Sequence, residues 1–202
     1  MKTTIIVIII VAIVGAAAYF IFGKPKPTNV VPATTTTTVD TTTTTQPATT
    51  TAAVDKTKTV IGKSVKGTDI TAYHYGSGSK NVLFVGGIHG GYEWNTVLLA
   101  RQLMDYLKQN PSAVPANITV TVIPVLNPDG LAVAVTNPEQ FTAADVSKST
   151  EVLTQARFND HKVDLNRNFD CDWAAKGMWQ SKEVSGGGSA FSEPESQAFK
   201  AY

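Results

Sequence analysis

The sequence predicts an α/β fold, with a mixed and largely parallel sheet and helices on both faces. Three observations carry that expectation. Asn81–Val85 is a short apolar run that reads as a fully buried strand. Trp94–Gln109 reads as a helix, because Leu99, Leu103 and Leu107 recur at i+4 with Ala100 and Met104 beside them. Asn117–Leu126 is a second apolar run and reads as a second buried strand. Strand, helix and strand in that order imply parallel pairing, since a parallel pair needs a long crossover. Ligands of such sheets lie beyond the carboxyl ends of the strands, where His89 and Asn127 fall.

Residues 1–27 read as a membrane anchor or signal segment. Residues 3–23 carry no charge, and Ile5–Phe22 is almost wholly apolar, long enough to span a hydrocarbon core of about 30 Å as a helix. Ala16-Ala17-Ala18 would serve a signal peptidase, which leaves secretion after cleavage as the alternative. The apolar run continues past it through Tyr19–Phe22, which favours an uncleaved anchor. Residues 28–58 read as a disordered stalk: Thr28–Thr51 holds 14 threonines in 24 residues, with Pro32 and Pro47 among them. Such a stalk places the following domain, residues 59–202, outside the cytoplasm.

Within that domain Thr59–Ser64 and Asp69–Tyr75 read as strands around a Lys66-Gly67 turn. Pro111 marks the end of the long helix, and Asn127-Pro128-Asp129-Gly130 reads as a turn closing the second apolar strand. Gln140–Gln155 reads as weakly helical. Ser192 is expected to cap a final helix, with Glu195 completing a capping box. The net charge of +1, from 17 basic and 16 acidic residues, leaves no basic face for nucleic acid. Cys171 is the single cysteine, which excludes an internal disulfide and a cysteine-rich metal cluster; it reads as a small buried hydrophobe. Asn117-Ile118-Thr119 fits a glycosylation sequon, set aside because it opens a buried strand.

The chemistry concentrates in Val85-Gly86-Gly87-Ile88-His89-Gly90-Gly91-Tyr92-Glu93. The block is read as a His-x-x-Glu pair, His89 and Glu93, with a helix beginning near Tyr92 that points both side chains the same way. Imidazole and carboxylate are both ordinary zinc ligands, and a catalytic zinc takes three protein ligands with one open position. The bland alternatives are a loop histidine, and a glutamate that favours the helix dipole. His161 sits in a polar, turn-like stretch and reads as a surface residue, and His74 as a packed or edge residue of its strand.

Together with Asn127-Pro128-Asp129-Gly130, Asp164-Leu165-Asn166-Arg167-Asn168-Phe169 and Ser192-Glu193-Pro194-Glu195, this block resembles the zinc metallocarboxypeptidases, the carboxypeptidase A-like family. The likeness runs from about Val60 to the end of the chain and covers the amino-terminal part of the family's catalytic domain, incomplete at the C-terminus. It implies a zinc-exopeptidase fold, Zn2+ as cofactor, and hydrolysis of peptides at a C-terminal residue. It implies that His89 and Glu93 are the first two zinc ligands and that Asp164 orients His89. Asn166 and Arg167 would hold the substrate's terminal carboxylate, a task suited to a guanidinium fork. Arg157 is matched, loosely, to the arginine that polarises the scissile carbonyl. The family's third ligand and its general-base glutamate have no counterpart in this sequence, so the chain is expected to be truncated and inactive alone. Two rivals stand beside this reading: a murein peptide amidase or related zinc deacylase, and a stalked binding module that has lost catalysis.

Overall fold

The computed structural model describes residues 57–202. The anchor expected at residues 1–27 and nearly all of the expected stalk, residues 28–56, lie outside the described residues. Among the described residues no helix is long and apolar enough to cross a membrane.

The central sheet has four strands: β1 (Lys58–Lys63), β2 (Asp69–Gly76), β3 (Lys80–Val85) and β4 (Ile118–Ile123), in the spatial order β1-β2-β4-β3. Between β3 and β4 the chain runs through helix α1 (Trp94–Gln109). The two strands pair in parallel, Val82 against Val120 and Val85 against Ile123, as the strand–helix–strand order requires. β1 with β2 and β2 with β4 are antiparallel, so the sheet is mixed and its parallel part is smaller than expected.

Helices cover both faces. Val122 and Ile123 are neighbours on β4, so their side chains point to opposite sides of the sheet. Val122 packs with Ala100 and Leu107 of α1. Ile123 packs with Ile70, Ala72 and Leu126, and with Ala198 of α4 (Pro194–Ala201). Two shorter helices, α2 (Pro128–Ala134) and α3 (Thr150–Gln155), join Val97 of α1 in a third cluster through Leu131, Ala134 and Leu153.

Several expectations are corrected. Asn81–Val85 forms the strand β3 but is not fully buried: Val82 is 50% and Leu83 45% exposed, because β3 lies at the sheet's edge. Asn127-Pro128-Asp129-Gly130 is not a turn but the start of α2. The Asn127 side chain accepts from Gly130 N at 2.8 Å, Pro128 occupies the first turn, and both are ordinary helix-start chemistry. Gln140–Gln155 yields only a 3-10 turn at Ala143–Asp145, capped by Thr142, and α3, capped by Ser149. Ser192 does not cap α4. Glu193 is its N-cap and Pro194 sets its first turn, while the Glu195 carboxylate accepts from Val65 N, 3.1 Å away. Cys171 is exposed, on the irregular stretch before the strand Lys176–Trp179 rather than in the core. Asn117 is exposed and precedes β4, so burial is no ground for setting the sequon aside.

Candidate metal centre

The site is built where β3 and β4 end. The two strands stay linked past their last residues, Gly86 N donating to Ile123 O at 2.8 Å and Asn127 N to Gly87 O at 2.9 Å. Gly87 takes φ +60° and Gly90 φ +45°, a region that costs a residue with a Cβ roughly 1–2 kcal/mol. At Gly90 a Cβ would also stand 2.6 Å from the backbone of Gly130 and Leu131, so the loop lies directly on the start of α2.

The His89–Glu93 spacing differs from the His-x-x-Glu reading. Three residues separate the pair, which is i,i+4. Helix α1 begins only at Trp94, with Glu93 as its N-cap, so turn geometry rather than a shared helix face brings the two together. His89 Nδ1 is 3.0 Å from Glu93 Oε1. On its other side His89 Nε2 is 3.2 Å from Asp164 Oδ1. An ionised carboxylate only accepts, so Nε2 carries a proton toward Asp164, and in the neutral imidazole Nδ1 then keeps its lone pair. That lone pair faces a second acceptor, Glu93. Among the described residues Nδ1 is the one buried side-chain nitrogen or oxygen left without a hydrogen-bond partner. Two acceptors held this close need a cation or a proton between them. Ligands on a tetrahedral zinc, at about 2.0–2.2 Å each, stand roughly 3.3 Å apart, close to the observed separation. The pair therefore fits zinc.

Asp164 is fully buried and satisfied on every side. Oδ1 receives His89 and Asn166 N, the latter at 3.1 Å. Oδ2 receives Arg157 Nε at 3.0 Å and Nη2 at 2.9 Å. Burial acts to raise its carboxyl, but the His89 hydrogen bond and the Arg157 charge outweigh burial, and Asp164 lies below the usual carboxylate range. The carboxylate thus stays ionised and orients the imidazole.

Asn166 and Arg167 sit on the 3-10 turn Leu165–Arg167, whose first residue Asp164 caps. Asn166 is exposed. Arg167 donates from Nη1 to Asn166 O at 3.0 Å and from Nη2 to Met178 O at 2.8 Å. A cleft of about 360 Å³ opens beside the two, lined also by Phe169, Trp173 and Lys176. Two larger clefts, of about 560 and 590 Å³, hold none of the candidate residues.

Arg157, matched in sequence to a carbonyl-polarising arginine, is 3% exposed here and bound to Asp164, whose other oxygen receives His89. His161 is engaged elsewhere, its Nδ1 2.8 Å from Glu193 Oε2, with a side chain 57% exposed. His74 lies on β2 between Thr59 and Thr121, as a strand residue should. Among the described residues no group of three or more His, Cys, Asp or Glu is placed to hold a metal. Sequence reasoning missed the hairpin of β5 (Lys176–Trp179) and β6 (Lys182–Ser185), whose Trp179 stacks on Arg157. The signal for it was slight: Met178-Trp179 and Val184, on either side of the polar residues 180–183.

A mixed sheet under helices, with a His–Glu pair at its carboxyl edge, has the fold of the zinc exopeptidases. The chain belongs to the zinc carboxypeptidase family, whose model matches residues 37–202. It is 33% identical over 127 residues to Metallocarboxypeptidase A of Trichophyton tonsurans, which covers 57% of this chain and 28% of that protein. It is 36% identical over 124 residues to Bacteriocin BCN5 of Clostridium perfringens, over 60% of this chain and 12% of that protein. The crystal structure of carboxypeptidase A from Helicoverpa armigera superimposes with a TM-score of 0.51 at 25% identity, over 72% of this chain and 36% of that one. The chain thus spans well under half the length of the relatives it matches. The family uses Zn2+.

Proposed function

We propose that this chain supplies part of the active centre of a zinc carboxypeptidase, which releases the C-terminal residue of a peptide. The observation that carries the reading is His89: Nε2 tied to Asp164, Nδ1 buried, without a hydrogen bond, and facing Glu93. His89 and Glu93 hold the metal in this reading. Zinc bound there supplies a Lewis acid that polarises the scissile carbonyl and the attacking water.

This chain's own residues do the positioning. Asp164 fixes the tautomer and direction of His89. Asn166 and Arg167 meet the substrate's free carboxylate, Arg167 through the planar donor fork that a lysine lacks. Because Asp164 both orients His89 and caps the Asn166–Arg167 turn, metal and carboxylate anchor are held at a fixed separation. A fixed separation between anchor and metal is what confines cleavage to the last peptide bond.

For location the support is sequence alone: the uncharged run of residues 3–23 and the threonine-rich segment after it favour a membrane-anchored, extracytoplasmic domain.

The test is to supply the zinc-loaded enzyme, carrying this chain at the full length of its relatives, with an N-blocked peptide and with the same peptide as its C-terminal amide. Release of the last residue from the free acid alone supports the reading. Equal cleavage of both, or cleavage confined to murein stem peptides at an internal bond, overturns it.

A further inference from the structure

We propose that Trp179 is a positioning residue for the metal-binding histidine, acting through Arg157 and Asp164. The proposal rests on the metal-site reading above.

The geometry at Asp164 poses a problem that Trp179 solves. An arginine and a carboxylate usually meet fork to fork, two nitrogens on two oxygens, which fixes both planes. Here Arg157 places Nε and Nη2 on the single oxygen Oδ2. Oδ1 is thereby left to His89 and to Asn166 N. A guanidinium that rotated into the fork-to-fork pose would compete with His89 for Oδ1. Nothing in a one-oxygen contact prevents that rotation.

The aromatic rings do. The Arg157 guanidinium lies 4.5 Å from the Trp179 ring centroid and 5.6 Å from that of Tyr92. Trp179 is held in turn by edge contacts to Tyr92, centroids 5.0 Å apart, and to Phe158, 6.3 Å apart. A cation over an indole face gains most when desolvated, and Arg157 is buried. The hairpin carrying Trp179 is fastened at its base to the same carboxylate residue, Asp164 N donating to Ser185 O at 2.9 Å. Nearer its tip it is fastened by Arg167 Nη2 on Met178 O. β5–β6 therefore straddles Asp164, and its indole sets the guanidinium plane.

The test measures zinc affinity of the full chain by chelator competition, for wild type, Trp179→Ala, Trp179→Leu, Trp179→Phe and His89→Ala. Leucine keeps apolar bulk without a π face, so it remains informative if the alanine variant fails to fold. The expected result is a loss of about tenfold for Ala and Leu, and within about twofold of wild type for Phe. The His89 Nε2 proton, visible by nitrogen-15 NMR in the metal-free wild type, is expected to exchange faster in Trp179→Leu while near-ultraviolet circular dichroism stays native. A folded Trp179→Leu with wild-type affinity and exchange, alongside loss of binding in His89→Ala, overturns this proposal alone. Equal losses for Phe and Leu also overturn it. Undiminished zinc binding in His89→Ala overturns the metal-site reading and this proposal with it.

Discussion

Asp164 Oδ1 holds the His89 imidazole at 3.2 Å, and the same oxygen accepts Asn166 N at 3.1 Å. One buried carboxylate therefore ties the His89 loop after β3 to the turn that carries Asn166 and Arg167, the proposed anchor for substrate.

Removing that charge strands Arg157. Asp164→Asn leaves a buried guanidinium without an ionic partner, and breaking a buried pair from one side costs on the order of 3–5 kcal/mol. Urea unfolding is expected to show a loss of that size. A loss under about 1 kcal/mol would mean that Arg157 finds water or another acceptor.

Gly90→Ala is expected to destabilise the protein by at least about 2 kcal/mol, since a left-handed φ and a backbone clash act together. The metal-facing loop would lift off α2, so zinc affinity should fall with stability. Thermal unfolding and chelator competition on one preparation check both, and a normal melting temperature would refute the close-packing argument.

Asn127→Ala removes the N-cap of α2 at a fully buried position. The expected cost is about 1–2 kcal/mol, read as a lower urea midpoint at unchanged slope. No change would show that Pro128 alone sets the helix start.

Two buried glutamates give opposite pH dependences. Burial acts to raise Glu193, but hydrogen bonds from Asn159, Ser192 and His161 outweigh it and hold it below its ordinary 4.5. A lowered folded pKa means that its stabilisation is present above the unfolded value and is lost as pH falls through the folded value. Burial raises Glu195 above 4.5, despite hydrogen bonds from Asn159 and Val65. It therefore opposes folding at neutral pH, and that penalty is relieved as pH falls through its raised value. Glu195→Gln should remove this relief, so stability falls more steeply between pH 7 and pH 4.5 than in wild type. Urea midpoints across that range decide it; parallel curves would contradict the sign.

Much of this was legible in the sequence, for reasons that can be named. Leucines at i+4 made α1 plain, and its observed bounds, Trp94–Gln109, match the expectation. Apolar runs made β3 and β4 plain, but a run of apolar residues does not say which strand lies at the edge, and Val82 and Leu83 are exposed there. Asn-Pro-Asp-Gly begins a helix as readily as a turn; packing of Leu131 and Ala134 against Val97 decided for the helix. His89, Glu93 and Asp164 meet as a matched motif suggests, yet through turns rather than along a helix. Arg157 was legible only as a residue. Its proposed pose on Asp164 depends on the β5–β6 hairpin, two four-residue strands too short for any apolar alternation to announce them.

The central claim is that His89 Nδ1 and Glu93 face a metal. X-ray absorption at the zinc edge, on wild type, His89→Ala and His161→Ala proteins, tests it most directly. The account predicts an imidazole signal in wild type that vanishes in His89→Ala and persists in His161→Ala. An imidazole signal that survives His89→Ala, or that depends on His161, would contradict it.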